Sequence, residues 1–279
     1  MLWIIIIASL FVLFLVYGRL SHLHFVTTKF EVTDARINKD YTFVMLSDLH
    51  CCRHGKEYDK LIKRIDEIHP DFIFIAGDMI TKHDYVDKEC VQRVLRLIQN
   101  ISKKYSIYYA PGNHELRIKD TDRYFDEITH MGVRLMRNQE MFFPDDGIRV
   151  WGLELSHERF REKQNLTEQE LGEYLNRDYA DKDVFNILIA HDPRHFDAYA
   201  DWGADLTMSG HYHGGVMRLP LLGGVVSPYL RLFPKYDAGL FEKNGKHMIV
   251  GRGLGSHHPK LRWFNPPELV VIRLNKGKQ

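Results

Sequence analysis

This sequence has few cysteines and no excess of charge of either sign. It contains three cysteines, of which Cys51 and Cys52 are adjacent. An odd number of cysteines with two neighbouring thiols gives no disulfide framework, so we expect a reducing compartment. Lysine plus arginine (38 residues) almost balances aspartate plus glutamate (37 residues), which removes the chain-wide basic field typical of nucleic-acid binding. We therefore expect no nucleic-acid partner.

Two further features are absent from the sequence. No G-x-S-x-G segment occurs, which argues against an acyl-transfer hydrolase with a nucleophilic serine. No internal repeat and no low-complexity tract occur, which argues against a repeat protein. A chain of 279 residues is long enough for one membrane segment followed by a single well-cored domain.

The N-terminus carries one long apolar run. Residues Leu2 to Tyr17 are apolar except for Ser9, and the first charged side chain is Arg19. With its flanking residues the run reaches the lower range of a membrane-spanning helix. A cleavable signal peptide has a similar apolar length, but no basic residue precedes the run here. We expect residues 1–20 to form an uncleaved membrane anchor.

The residues after the apolar run bear on the rest of the organisation. Residues 21–40 are predicted to form a linker and the region of the first strand, and residues 41–279 the folded domain. Basic residues cluster on the C-terminal side of the run: Arg19, Lys29, Arg36 and Lys39. The positive-inside tendency then favours a cytoplasmic domain, although Glu31 and Asp34 dilute the local charge. The sequence does not indicate an oligomeric state.

Short apolar runs alternate with amphipathic stretches after residue 40. Runs typical of strands are Phe43–Leu46, Phe72–Ala76, Ile107–Ala110, Val133–Met136, Glu140–Phe143, Ile148–Leu153, Phe185–Ala190, Leu240–Glu242, Lys246–Val250 and Leu269–Leu274. Apolar residues at helical spacing lie in Tyr58–Ile68, Val86–Ile98, Thr121–Met131 and Glu168–Leu175. This order predicts an α/β fold with two sheets packed face to face and helices outside, a four-layer α/β/β/α sandwich.

Five short polar clusters follow runs of this kind. They are Ser47-Asp48-Leu49-His50, Gly77-Asp78, Gly112-Asn113-His114-Glu115, Ala190-His191-Asp192 and Gly210-His211-Tyr212-His213. The last follows a mixed run, Ala204–Met208, and the others follow apolar runs. Ligands of an open α/β sheet gather at the carboxyl ends of its strands. We therefore expect all five clusters to converge on one crevice.

The residue types in these clusters are those of a metal site. Asp48 and His50 are two residues apart, as are His211 and His213, and in extended backbone each pair would share a face and hold one ion. Asp78 could bridge two ions with its two oxygens. Carboxylate, imidazole and amide ligands together suit two divalent ions such as Mn, Fe or Zn. Two such ions can activate a bridging hydroxide and stabilise a phosphoryl group during in-line attack.

The five clusters resemble the calcineurin-like metallophosphoesterase family, whose pattern is D-x-H, GD, GNH[DE], H and GHxH in this order. The resemblance covers Thr42 to Leu274. It implies that one metal is held by Asp48, His50, Asp78 and His213, and the second by Asp78, Asn113, His191 and His211. It also implies that His114, next to the ligand Asn113, is the acid or transition-state donor, with Glu115 placed to orient or tune it.

The resemblance also bears on the substrate. The glycines after His213, the Gly251–Gly255 stretch and the Asn265–Glu268 tail are similar to a membrane-anchored branch that includes enzymes resembling UDP-2,3-diacylglucosamine hydrolases. We expect a phosphoester substrate, such as a lipid-linked phosphodiester or pyrophosphate. A general phosphodiesterase or phosphomonoesterase on soluble substrates is the first alternative. A non-catalytic scaffold, like the retromer subunit of this fold, is the second, although such a scaffold should have lost ligands that are all present here.

Several residues allow two interpretations. Taken singly, each ligand candidate could be a helix cap, a turn residue or a core histidine, but their joint pattern argues against that. Arg252 could contact a substrate phosphate or form a structural ion pair. The apolar segment Leu219–Tyr236 could be a strand pair of the second sheet, or a loop that reaches the membrane surface or accepts acyl chains. Cys51 and Cys52 lack the spacing of a thiolate metal site.

Overall fold

A computed structural model of the chain describes residues 1–81, 88–226, 232–256 and 260–278. Its helices are α1 (Leu2–Leu20), α2 (Asp59–Ile68), α3 (Lys88–Ser102), α4 (Thr121–His130), α5 (His157–Arg161), α6 (Glu168–Leu175) and α7 (Phe196–Trp202). The helix predicted from Val86 to Ile98 corresponds to α3, and its first two predicted residues lie outside the described ranges. The predicted helices near Tyr58, Thr121 and Glu168 correspond to α2, α4 and α6.

The first sheet has six strands in the order β1-β14-β2-β3-β4-β5. Its strands are β1 (Val26–Asp34), β2 (Tyr41–Leu46), β3 (Phe72–Ala76), β4 (Ser106–Ala110), β5 (Arg134–Leu135) and β14 (Glu268–Lys276). Strands β2 to β5 run parallel, β14 is antiparallel to β2, and β1 is parallel to β14. The carboxyl ends of β2, β3 and β4 therefore lie at one edge of the sheet.

The second sheet also has six strands, in the order β12-β13-β9-β8-β7-β6. They are β6 (Gln139–Phe143), β7 (Ile148–Leu153), β8 (Phe185–Ala190), β9 (Leu206–Ser209), β12 (Gly239–Lys243) and β13 (Lys246–Val250). The predicted runs Glu140–Phe143 and Ile148–Leu153 correspond to β6 and β7, which pair antiparallel on either side of the turn Pro144–Gly147. Strands β7, β8, β9 and β13 run parallel, so the ends of β8 and β9 lie side by side.

Side chains alternate across each sheet and separate the interior into layers. On β2 and β3, Val44 and Ile73 face helices α2 to α4, whereas Phe43 and Phe74 face the second sheet. The far side of the second sheet, at Leu188 for example, packs against α6 and α7. Burial of these apolar faces is the main favourable contribution to the fold. The predicted α/β/β/α sandwich is therefore confirmed.

Strand β1 lies inside residues 21–40, where the linker and the region of the first strand were predicted, and its polar sequence VTTKFEVTD forms an edge of the first sheet. One prediction about the strands needs correction. The apolar segment after Leu219 is not a strand pair of the second sheet. Instead, β10 (Arg218–Leu219) and β11 (Gly223–Gly224) form a separate two-stranded sheet. Residues 227–231 of that segment lie outside the described residues.

The expectation that the cysteines form no disulfide is wrong. Cys51 and Cys90 are joined by a disulfide, with their Cα atoms 5.9 Å apart, and Cys52 is a free, buried thiol. The bond links the loop after β2 to the first turn of α3. Disulfides persist in oxidising compartments, so this bond argues against the reducing compartment expected from the cysteine count.

Helix α1 is the one helix among the described residues that is long and apolar enough to cross a membrane. Its side chains are exposed, and Gly18 is its only buried residue. A core helix of a soluble domain would be buried instead. By length and composition α1 is thus a candidate for a membrane anchor or a signal sequence.

Candidate metal centre

The five predicted clusters meet at the carboxyl ends of strands from both sheets. Asp48 follows β2, Asp78 follows β3, Asn113 follows β4, His191 follows β8 directly, and His211 follows β9. The two sheets face each other across the apolar layer that contains Phe43 and Phe74. Strand ends of one sheet therefore lie opposite strand ends of the other, and the polar side chains that follow them are brought together.

The backbone at these positions differs from the extended conformation that we expected. Asp48 and His50 have positive φ angles of 50° and 44°, and His211 and His213 have φ angles of 72° and 52°. Asp78 is also left-handed, with a φ of 58°. Asp and His adopt this region more readily than most residues, and such conformations concentrate at functional sites. The side chains converge because the chain turns tightly after each strand.

Two groups of potential ligands result. Asp48, His50 and His213 form the first group, and Asp78, His191 and His211 form the second; all six side chains are buried. Within each group the ligand atoms lie within 4.8 Å of one another. His211 and His213 thus belong to different groups, as the family resemblance implies, whereas their spacing in extended backbone suggested that they share one ion.

Imidazole nitrogens face each other in both groups. Nε2 of His50 lies 3.1 Å from Nε2 of His213, and Nδ1 of His211 lies 3.2 Å from Nε2 of His191. Two ring nitrogens at this distance can share a proton, or both can bind a cation. Nδ1 of His191 lies 2.6 Å from the carbonyl oxygen of Ala76 and is placed to donate to it. That bond leaves Nε2 as the ligand atom, as is usual for metal-binding histidine.

The two groups approach each other at the carboxylate of Asp48. Within the second group, Oδ2 of Asp78 lies 3.0 Å from Nε2 of His191, and Oδ1 of Asp48, from the first group, lies 3.9 Å from the same nitrogen. The carboxylate of Asp48 also accepts the backbone N–H of His211 at 3.0 Å. Asp48 is thus hydrogen-bonded to a residue of the other group, which fixes the two groups relative to each other.

The electrostatics of the site favour bound positive charge. Although burial opposes it, the carboxylate of Asp78 raises the pKa of His191 to about 10. Burial raises the pKa of Asp48 to about 6, whereas His191 and its neighbours hold the pKa of Asp78 well below its usual range despite burial. Burial lowers the pKa of His211 to about 3, so this ring is neutral and available as a ligand.

Asn113 supplies an independent indication of a missing partner. Its side chain is buried, and its Oδ1 atom has no hydrogen-bond partner among the described residues. A buried amide oxygen without a partner costs free energy, so such an atom calls for an explanation. An amide oxygen is a suitable ligand for a divalent cation beside carboxylates and imidazoles. The donor set and this orphaned oxygen both fit a metal site.

His114 lies at the open side of this cluster. Its side chain is 15% exposed, and its Nε2 atom lies 3.9 Å from Oδ2 of Asp78. Its backbone N–H donates to Oδ1 of Asp78 at 2.8 Å, which ties the two loops together. Gly112 in the same loop leaves no room for a side chain, because a Cβ atom there would clash with the Asp78 carboxylate.

Two arginines lie behind the first group. Arg252 forms an ion pair with Glu268, in which Nη2 and Oε1 are 2.7 Å apart, and this geometry supports the structural alternative for Arg252. Arg262, which the sequence interpretation missed, is buried and donates to the backbone oxygens of Arg252 and His213 at 2.7 and 3.3 Å. No motif marks Arg262, since its partners are carbonyl groups of distant segments.

Comparison with known proteins agrees with this geometry. The model of the family described as calcineurin-like phosphoesterase matches residues 41–215. The chain is 29% identical to the uncharacterized metallophosphoesterase YkuE of Bacillus subtilis over 84% of this chain and 79% of that protein.

Two named relatives are more distant. The phosphodiesterase YaeI of Escherichia coli is 22% identical, over 84% of this chain and 82% of its own. The UDP-2,3-diacylglucosamine pyrophosphatase LpxG of Chlamydia muridarum is 22% identical, over 82% of each chain. Because the family model covers more than half of the sequence and ends just after the last histidine pair, this chain belongs to the calcineurin-like phosphoesterase family.

Proposed function

We propose that this protein is a hydrolase of phosphodiesters or pyrophosphates with two divalent metal ions at the candidate centre. The proposed ligands are Asp48, His50, Asp78, Asn113, His191, His211 and His213. The single observation that carries the proposal is the pair of adjoining buried ligand groups, each with its ligand atoms within 4.8 Å. Mn, Fe and Zn are the candidate ions, because the ligand set combines imidazoles with carboxylates and an amide.

The protein residues then have separate tasks. The ions would supply Lewis-acid stabilisation of the phosphoryl oxygens and an activated water. Asp48 and Asp78 provide negative charge that retains the ions, and the backbone N–H of His211 orients the Asp48 carboxylate. His114, partly exposed beside Asp78, is placed to donate a proton to the departing oxygen. Whether Asp78 bridges both ions stays a prediction.

The reaction class can be tested with the full-length protein in detergent. We expect hydrolysis of bis-(p-nitrophenyl) phosphate with added Mn²⁺, loss of activity with a chelator, and recovery when the metal is returned. Asp78→Asn should abolish both turnover and metal retention. Asp122→Asn, at a side chain that is 91% exposed, is the matched control and should retain both. A folded protein that binds two ions and hydrolyses no diester or pyrophosphate would favour a scaffold role.

The substrate is proposed to be lipid-linked, such as UDP-2,3-diacylglucosamine. Two observations support this choice: the relative LpxG is a UDP-2,3-diacylglucosamine pyrophosphatase, and helix α1 is long and apolar enough to cross a membrane. YaeI, a phosphodiesterase, supports the alternative of a general phosphodiesterase. Comparing release of UMP from UDP-2,3-diacylglucosamine and from UDP-N-acetylglucosamine discriminates between them. A preference for the acylated nucleotide is expected, and equal rates on both compounds would contradict the lipid-linked proposal.

We further propose that α1 anchors the chain in a membrane. The two indications of sidedness disagree: the basic residues after α1 favour a cytoplasmic domain, and the Cys51–Cys90 disulfide favours an oxidising compartment. Alkylation of intact cells with a membrane-impermeant maleimide, using a Tyr179→Cys variant at an exposed site, decides between them. Labelling in intact cells indicates an external domain, and labelling only after lysis indicates a cytoplasmic one.

A further inference from the structure

The last turns of α1 pack directly against the catalytic domain. The ring of Phe14 stacks on Trp263 with 4.8 Å between centroids, and Nε1 of Trp263 donates to the carbonyl oxygen of Phe14 at 2.8 Å. The backbone N–H of Arg262 donates to the carbonyl oxygen of Gly18 at 2.9 Å. A Cβ atom at Gly18 would clash with the Trp263 ring, so glycine permits this close approach. The helix is thus fixed to the domain and is not a loosely attached tether.

This contact places part of the domain beside the apolar helix. Trp263 lies level with Phe14, six residues before the end of α1 at Leu20, which is about 9 Å along a helix axis. The neighbouring ring of Phe264 lies 5.4 Å from Tyr17, and Phe264 is otherwise exposed. Tryptophan and tyrosine concentrate at the boundary between hydrocarbon and headgroups. If α1 enters a bilayer, Trp263 and Phe264 therefore lie at its surface.

The same segment is joined to the hairpin that follows the metal ligands. The backbone N–H of Trp263 donates to Val216 at 3.2 Å, and the N–H of Arg218 donates to Trp263 at 3.0 Å. Val216 follows His213, a proposed ligand, by three residues. Arg262 donates to the carbonyl oxygen of His213 on the other side. The metal centre, the hairpin and the anchor helix are therefore neighbours in space.

This hairpin exposes an unusual set of apolar side chains. Leu221 is fully exposed and Leu222 is 62% exposed at the tip between β10 and β11. Leu232 pairs with Val226 in an isolated bridge, and the backbone N–H of Phe233 donates to Val225 at 2.9 Å. The exposed apolar side chains of the hairpin and of the segments bonded to it form a set that we call the apolar hairpin surface. It consists of Val216, Leu221, Leu222, Leu232, Phe233 and Phe264. The backbone hydrogen bonds from Trp263 to Val216 and from Phe233 to Val225 hold these segments next to each other, and grouped exposed apolar side chains mark a binding surface.

We propose that the apolar hairpin surface enters the interface of the same bilayer that holds α1, so that the metal centre receives phosphoesters embedded in that bilayer. This inference rests on the proposed membrane anchor and extends the proposed function to the manner of substrate delivery. We assign the lipid surface as the partner of the apolar hairpin surface. Trp263 contacts both the hairpin and α1, the helix that would enter the membrane. Apolar and aromatic side chains gain free energy at this boundary.

The position of the surface can be measured without enzyme activity. Full-length Leu221→Cys, labelled with an environment-sensitive fluorophore, is placed in phosphatidylcholine nanodiscs, with labelled Tyr179→Cys as the control. Tyr179 is exposed and precedes β8, so it lies at the end of the second sheet opposite the ligand His191. Unsubstituted protein gives the background label, since Cys52 is buried and Cys51 and Cys90 are bonded.

The expected result is bluer emission at position 221, with quenching by headgroup-level spin-labelled lipid, and neither effect at position 179. Equal emission and quenching at both positions in nanodisc-bound protein would overturn the inference and leave the anchor intact. If the full-length protein does not associate with nanodiscs at all, both the anchor proposal and this inference fail.

Catalysis supplies a second measurement. Hexadecyl p-nitrophenyl phosphate in phosphatidylcholine vesicles is a bilayer-embedded diester, and bis-(p-nitrophenyl) phosphate is its soluble counterpart. The double variant Leu221→Ser/Leu222→Ser should lower the ratio of embedded to soluble turnover about tenfold, mainly through KM, because two apolar anchors are lost. Tyr179→Ser should leave the ratio unchanged. If the double variant keeps the wild-type ratio of embedded to soluble turnover, delivery through this surface is contradicted, whatever the two absolute rates are.

Discussion

The carboxylate of Glu115 accepts the backbone N–H of Asp78 at 2.9 Å. The same carboxylate accepts the N–H groups of Met79 and Gly112 at 2.7 and 3.0 Å, and the hydroxyl of Tyr109 at 2.6 Å. Glu115 is completely buried. It therefore holds the turn that carries Asp78 against the loop that carries Asn113. Its contacts support a role in positioning these loops, rather than the tuning of His114 that we expected.

Replacing Glu115 by glutamine tests this positioning role. The amide group of glutamine places N–H donors against backbone N–H donors, so the turn after β3 should loosen. We expect Glu115→Gln to lower the free energy of unfolding by about 2–4 kcal/mol, together with a loss of metal affinity measured by calorimetry. Glu127→Gln, at a partly exposed side chain, is the control. A shifted pH profile of kcat with unchanged metal affinity would instead indicate that Glu115 tunes His114.

Replacing His114 by alanine tests its proposed role as proton donor. The side chain is outside both ligand groups, so His114→Ala should retain two metal ions per chain. A general acid contributes about 10²–10⁴-fold to a rate, and its loss matters most when the leaving group is a poor one. We expect a large fall in kcat with an alkyl leaving group and a smaller fall with p-nitrophenolate. His130→Ala, at an exposed helix end, is the control. Equal effects on the two leaving groups would contradict the acid role.

The sequence was sufficient to predict the main strands and the convergence of the ligand candidates. Apolar runs such as Phe185–Ala190 are buried throughout, and a polar residue directly after such a run has to lie at a strand end. Strand β1 could not be predicted in the same way. It lies at the edge of the sheet and has one buried residue, so its residues carry no continuous apolar signal.

Features that depend on contacts between distant parts of the chain could not be predicted from the sequence either. Cys51 and Cys90 are 39 residues apart, and only the packing of the loop after β2 against α3 brings them together. The role of Arg262 depends on carbonyl groups of Arg252 and His213, which carry no side-chain signal. The left-handed backbone at His211 follows from the tight turn after β9, whereas residue spacing alone suggested an extended pair.

Removing the disulfide should lower stability more than activity. A cross-link over 39 residues restricts the unfolded chain, which corresponds to about 4 kcal/mol of stabilisation in the chain-entropy model. We expect Cys90→Ser to lower the free energy of unfolding by roughly that amount or less in urea titrations. Reduction of the wild-type protein should give a similar loss, and Cys52→Ser serves as the control for thiol chemistry. Equal stability of Cys90→Ser and the wild type would show that the bond does not contribute.

His195 should make stability depend on pH between about 4 and 6.5. Burial lowers the pKa of His195 to about 4 although Asp192 opposes this, and the neighbouring Arg194 and Arg159 act in the same direction as burial. Its Nδ1 atom accepts the backbone N–H of Leu166 at 3.0 Å, which requires an unprotonated nitrogen.

The sign of this pH dependence follows from proton binding. In the unfolded chain His195 takes up a proton near pH 6.5, whereas in the folded protein it does so only near pH 4. The contribution to stability is therefore complete above pH 6.5 and is lost as the pH falls from 6.5 to 4. The loss amounts to about 3 kcal/mol at most. His195→Asn retains an acceptor for Leu166 but does not titrate, so its unfolding free energy should fall less steeply with decreasing pH. The comparison is made in chelator, so that loss of metal does not contribute, and parallel pH curves for both proteins would contradict the assignment.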